Sequence, residues 1–234
     1  MLKLLALLFF TITLGMAQGA NAGPFEDGEA ARSRGDYATA LSLFRLAAAQ
    51  GNANAQYNLG VMYERGEGVP QDYKEAVRLY RLAATQEHDS AQFNLGVMYR
   101  DGQGVPQDYK EAVRLFGLAA AQRGADAQNN LGRMYATGRG VPQDYKEAVR
   151  LYRLAVAQGF ALAQFNLGVS YDDGQGVVQD DVRAQMWFLL SAANGYPDAS
   201  KYRDDVATKM TSAQIAQAQE LAQRCQASNY QQCD

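Results

Sequence analysis

The sequence predicts an all-α fold, a solenoid of stacked antiparallel helix pairs with capping helices at its ends, and three observations predict it. A thirty-six-residue unit, GNANAQYNLGVMYERGEGVPQDYKEAVRLYRLAATQ from Gly51 to Gln86, returns in register at Glu87, Arg123 and Gly159, and eroded at Gly195. The string GVPQDYKEAV recurs unchanged at Gly68, Gly104 and Gly140. Each unit carries two stretches of helical apolar periodicity separated by a Gly-rich elbow. A fixed period of roughly twenty to fifty residues marks units that bury their apolar faces only by stacking on one another.

Within the first unit, Ala55, Leu59, Met62 and Tyr63 fall at i, i+4, i+7 and i+8, the stripe of a short amphipathic helix. Gly60 sits beside that stripe at a cost of about 1 kcal/mol relative to Ala, so a close packing contact is expected there. Gly66 and Gly68 are expected to stop the helix, and Pro70 to enforce the stop, because it has no amide hydrogen and disfavours helix in the residue before it. A second helix begins at Asp72, a cap residue, with Glu75 placed to reach back as in a capping box. Ala76, Leu79, Tyr80, Ala83 and Ala84 form its apolar stripe, and Lys74, Arg78 and Arg81 its polar one. Asp108 with Glu111 and Asp144 with Glu147 repeat the cap, whereas Asp180 has Arg183 in the glutamate's place, predicting a weaker start.

These residues carry a resemblance. Ala55, Leu59, Gly60, Tyr63, Gly66, Gly68, Val69, Asp72, Ala76, Ala83 and Ala84 reproduce the A-x-x-x-L-G-x-x-Y, G-x-G-V, D-x-x-x-A and A-A elements of the Sel-one-like repeat family, a relative of the tetratricopeptide repeats. Four near-complete copies cover residues 51 to 194. The resemblance implies a right-handed superhelix with the first helix of each pair on its inner wall. It also implies a scaffold or adaptor that holds proteins or peptides, often in bacterial envelopes or secretory compartments.

Residues 1–22 are of another kind. Lys3 is their only charge, Leu4 to Leu14 is apolar apart from Thr11 and Thr13, and Ala20-Asn21-Ala22 offers small-x-small cleavage, the pattern of a secretory signal peptide. The apolar stretch falls short of the ~20 residues a spanning helix needs. Residues 23–50 read as an N-terminal capping helix pair, its second helix Tyr37 to Gln50 in phase with the later units. The repeats then occupy 51–86, 87–122, 123–158 and 159–194, and 195–234 holds capping helices and a tail. There, Arg203 and Asp204 replace the Leu-Gly of the stacking stripe, and Thr211 with Gln214 is a further capping-box candidate. The expected destination is the periplasm, or the extracellular space, with no membrane attachment after cleavage.

Loss of the leader removes one of 22 basic residues and none of 25 acidic ones, moving the formal charge from -3 to -4. Mild acidity with mixed signs argues against a nucleic-acid partner. Cys225 and Cys233 are the only cysteines, and so close a pair in an exported chain reads as a disulfide, with a redox or metal site the lesser alternative. Catalytic constellations are missing. The one histidine, His88, lies in a turn expected to be solvated, and no Ser precedes a Lys by three residues. The Gly-rich elbows lack the strand and the Lys-Ser/Thr ending of phosphate loops. No catalytic residue, metal or cofactor is expected.

Comparing the units separates building positions from variable ones. Ala55, Leu59, Gly60 and Tyr63 recur in all four units, and Asn58, Asn94, Asn130 and Asn166 also hold constant, which suggests a structural hydrogen bond. The other face of the first helices changes. The positions expected to contact a partner there are Tyr57, Val61, Glu64, Arg65, Phe93, Val97, Arg100, Asn129, Arg133, Phe165, Val169 and Asp173. Tyr57, Phe93 and Phe165 form either an aromatic row in a groove or a packed row between helices, since helical aromatics serve both uses. The function expected is a non-catalytic exported module, a monomer, binding a protein or peptide partner. The alternative is an envelope enzyme or cell-wall-fragment binder, which cysteine-rich relatives suggest; those carry a cysteine pair in each repeat and this chain does not.

Overall fold

The computed structural model describes residues 23–231 and 233, and among them every regular element is a helix. The order is α1 (Pro24–Ser33), α2 (Tyr37–Ala49), α3 (Ala53–Arg65), α4 (Tyr73–Ala84), α5 (Asp89–Asp101) and α6 (Tyr109–Ala121). It continues with α7 (Ala125–Thr137), α8 (Tyr145–Val156), α9 (Ala161–Asp173), α10 (Asp181–Ala193), α11 (Ala199–Ala207) and α12 (Ser212–Ala227). From α1 to α10, each odd-numbered helix packs on the even-numbered helix that follows it, and that helix packs on the next odd one. The result is an α-solenoid, as the period predicted. The leader read at residues 1–22 lies outside the described residues.

Local chemistry sets the boundaries. Asn52 opens α3 by accepting from the Ala55 amide at 2.9 Å, and Gly66 closes it at φ 72°, the left-handed conformation glycine takes without a side-chain clash. Asp72 opens α4, its Oδ1 accepting from the amides of Lys74 at 2.9 Å and Glu75 at 3.1 Å. The expected capping box is only half made. Glu75 turns instead to Arg78, in a two-pronged contact at 2.6 and 2.9 Å. The reason is that the Asp72 amide already donates to the Tyr63 carbonyl at 2.9 Å, closing the elbow onto the end of α3. Asp108, Asp144 and Asp180 make the same closure onto Tyr99, Tyr135 and Tyr171. Asp180 caps α10 through the Arg183 amide alone, the weaker start expected.

The mid-helix glycine has its packing reason. The β-carbon that Gly28, Gly60, Gly96, Gly132 or Gly168 lacks would stand 2.6–2.8 Å from a ring of Phe44, Tyr80, Phe116, Tyr152 or Phe188 on the partner helix. Each unit therefore drives one aromatic ring from its second helix into the backbone of its first. The second elbow glycine joins neighbouring units, since a β-carbon on Gly104 would collide with the Tyr73 carbonyl at the head of α4. Tyr73, Tyr109 and Tyr145 thus head the second helices and seat the next unit's elbow.

The core is segmented along the stack, in clusters each drawn from adjacent units. At the C-terminal end the pairing rule changes, and α11 and α12 both pack on α10. Thr211 and Gln214 complete the predicted capping box of α12. Cys225, near the end of α12, is fully buried and forms a disulfide with Cys233, Cα atoms 4.5 Å apart, which folds the tail back over the stack.

Candidate binding face on the first helices

Polar side chains link first helices of successive units, α3 to α1, α5 to α7 and α9 to α7. Asn58 donates to Glu29 at 2.6 Å, Arg100 to the Asn130 carbonyl oxygen at 2.7 Å, and Asn166 to that of Asn129 at 2.8 Å. Asn94 instead donates to the Tyr80 hydroxyl at 3.2 Å. The four invariant asparagines are therefore structural hydrogen-bonding residues, each with its own partner.

The variable positions divide into interior and surface. Val61 and Asn129 are buried, at 5% and 0% exposure, so neither reaches a partner; Val61 packs in the core between α3, α4 and α5, and Asn129 holds α9 through Asn166. Tyr57, Phe93 and Phe165 are half-buried, their rings 5.7, 5.8 and 5.6 Å from Tyr80, Phe116 and Phe188. Phe165 is further covered by Tyr196 and Tyr202, each 4.8 Å away, so the capping region itself fills the wall there. Val97 and Val169 are partly buried against the same seams. Arg65, Arg133 and Asp173 are exposed. Burial, and then the bond that the Tyr80 hydroxyl donates to Glu64, push that hydroxyl far above the ordinary tyrosine range. Arg100 pairs with Asp101 at 2.7 Å, which holds the Asp101 carboxyl below the usual carboxylate range.

His88 is not the solvated turn residue the sequence suggested. It stands where Asn52 stands one unit earlier, caps α5 by accepting from the Ala91 amide on Nδ1 at 3.2 Å, and stacks on Tyr57 at 4.7 Å. Burial lowers its pKa from the ordinary value, only partly offset by Asp89.

A buried glutamine ladder went unread in the sequence. Gln56, Gln92, Gln128 and Gln164 recur every thirty-six residues and are at most 5% exposed. Gln86, Gln122, Gln158 and Asn194 donate to their side-chain oxygens at 2.8, 3.0, 2.9 and 2.9 Å. The amides of Gln56, Gln92 and Gln128 pass on to the carbonyls of Ala48, Ala84 and Ala120 in the preceding unit. The signal was present, because a glutamine fixed in every copy needs a reason inside the stack.

The Sel1 repeat model matches residues 21–52, 53–88, 89–123, 125–160 and 161–196, most of the chain. The chain belongs to the Sel1 repeat family. The first match shows that the segment read as a cap carries the repeat pattern itself, with Gly35 and Asp36 in place of the long elbow. Among solved structures, this Sel1 protein is similar to a Sel1 repeat protein from Oxalobacter formigenes, at 33% identity over 77% of this chain and 74% of that one, with a TM-score of 0.71. It is also similar to c5321, a protective antigen of uropathogenic Escherichia coli with an SLR fold, at 33% identity over 88% of this chain and a TM-score of 0.82. The match spans 46% of that antigen's length. Among curated proteins, none matches the chain. Sel1 repeats generally serve protein–protein interaction, and this chain has the scaffold fold that use requires.

Proposed function

We propose that this Sel1 repeat protein is a non-catalytic scaffold, exported as a monomer to the periplasm or beyond, that holds a protein or peptide segment along its first-helix face. One observation carries the reading. In four units whose building residues are constant, the exposed positions Arg65, Arg133 and Asp173 lie on the stripe that varies from unit to unit, and none of them makes a contact that stacks the helices. Glu64, Arg100 and the half-buried Tyr57 and Phe93 stand on the same stripe of the first helices. Arg and aromatic side chains together are the usual anchors of such interfaces. Arg133 is exposed and makes no ion pair among the described residues, which leaves its guanidinium for a partner carboxylate or carbonyl. Export is supported by the leader pattern and by the Cys225–Cys233 disulfide, a bond that persists in oxidising compartments.

The test is affinity capture from an envelope extract with wild type and an Arg65→Glu, Arg133→Glu variant. Both residues are exposed, so the variant keeps its helicity. The captured partner should be lost from the variant; an unchanged capture profile would move the binding surface elsewhere.

A further inference from the structure

The second helices form another surface, and the chain's own tail docks along one of its grooves. Between α8 and α10, tail residues Tyr230, Gln231 and Cys233 wall a pocket of about 590 Å³ together with Arg153, Val156, Ala157 and Trp187. The contacts are directional. Asn194 donates its amide to the Tyr230 hydroxyl at 2.8 Å, and Gln231 donates its amide to the Ala157 carbonyl at 3.3 Å. The Tyr230 ring lies beside Gly159, where an added β-carbon would meet it at 3.3 Å.

Three units earlier in the period, Arg45, Ala48, Ala49 and Leu79 occupy the places of Arg153, Val156, Ala157 and Trp187. With Leu82 they line an open groove of about 370 Å³ between α2 and α4. Its end matches too. Gly51 stands in for Gly159, at φ 88° against 76°, and nothing lies within 4 Å of where its β-carbon would be. Gln86 stands in for Asn194. Exposure differs too: Leu190, on the helix that α12 packs against, is 2% exposed, whereas its equivalent Leu82 has no such helix over it and is 41% exposed. The neighbouring groove between α4 and α6, about 320 Å³, has Glu87 in place of Gly51, at φ 62°, so a side chain stands where the ring would lie.

We propose that the α2–α4 groove docks a turn of a partner protein in which a tyrosine is followed by a residue with a side-chain amide, bound as the turn at Asn229 and Tyr230, φ 52° and 64°, binds α8 and α10. The ring lies on Gly51 with its hydroxyl on the Gln86 amide, the following amide donates to the Ala49 carbonyl, and the apolar flank covers Leu79 and Leu82. This surface is separate from the first-helix face, so the two readings stand or fall independently.

The probe is a labelled peptide ASNYQQ, the sequence of residues 227–232, titrated into the full oxidised chain and followed by fluorescence anisotropy. Saturable binding at a single site is expected. Leu82→Glu should weaken it by about tenfold or more, because a charge would be buried against the ring. Leu118→Glu, the same change in the groove blocked by Glu87, should leave it intact, and a peptide with Ala for Tyr should not bind. Absence of saturation, or equal binding to the Leu82→Glu chain, would overturn the proposal; the latter would mean exchange with the chain's own tail. Concentration-dependent self-association abolished by Leu82→Glu would also overturn it, making the occupant a second copy.

Discussion

Gly60 lies directly under the ring of Tyr80, with a missing β-carbon that would stand 2.7 Å from Tyr80 Cε1. Tyr80 cannot give way easily, since it is fully buried, its hydroxyl is tied to Glu64 and Asn94, and Tyr57 packs beside its ring. Overpacking of this kind costs about 1–3 kcal/mol, against about 1 kcal/mol gained in helix propensity. Gly60→Ala is therefore expected to destabilise the chain in urea unfolding, by up to about 2 kcal/mol.

Gly117 gives the opposite result from the same substitution. It is mid-helix in α6, and nothing lies within 4 Å of where its β-carbon would be. Gly117→Ala should stabilise by about 1 kcal/mol through helix propensity alone. The equivalents Arg45 and Arg81 donate to the hydroxyls of Tyr63 and Tyr99 at 2.8 and 2.6 Å. Gly117→Arg should accordingly add the matching hydrogen bond to Tyr135, and a Tyr135→Phe background should remove only that increment.

The contrast between these two glycines shows what could be read from the chain. The thirty-six-residue period disclosed the helix pairs, the elbows, the aspartate caps and the need for a close contact at Gly60, because each recurs in phase. The aromatic row was ambiguous, since periodicity places Tyr57, Phe93 and Phe165 on one stripe without saying how far the second-helix rings reach. Val61 and Asn129 were misplaced for the same reason: they share the variable stripe, but close approach of the next unit buries them. The Glu75 side chain escaped prediction because the Asp72 amide finds its acceptor on Tyr63, a contact between helices that local capping rules do not contain.

His88 makes the stability of α5 sensitive to acid. Only an unprotonated Nδ1 accepts from the Ala91 amide, and burial lowers the folded-state pKa below the unfolded value of about 6.5. The folded chain thus resists the proton more than the unfolded one. The cap's contribution is complete above the unfolded pKa and is lost as pH falls through the lower folded value. His88→Asn, which reproduces the Asn52 cap, should flatten that part of the stability–pH profile without lowering stability at neutral pH.

Reduction of the Cys225–Cys233 disulfide should loosen the tail before the stack. The bond closes a loop over a sequence separation of 8, for which loop-closure entropy gives about 2.5 kcal/mol as an upper figure. Its release frees Tyr230 and Gln231 from Asn194 and Ala157. Hydrogen exchange should quicken in α12 and at the α10 end on reduction, while α3 to α6 keep their protection.

The glutamine ladder carries the last expectation. Gln92 accepts from Gln122 at 3.0 Å and donates to the Ala84 carbonyl at 3.4 Å, so it links the unit that contains it to the one before. Gln92→Leu is close in volume, so packing is nearly kept, but the Gln122 amide and a carbonyl lose a partner in a buried seam, at about 1–3 kcal/mol. Gln164 accepts from Asn194 in the same way, yet its own amide has no partner, where Val156 replaces the alanine of the other units. Gln164→Leu removes one hydrogen bond and one unsatisfied donor, so it should cost less than Gln92→Leu. Equal losses in paired urea titrations would mean that the ladder fills space rather than linking units.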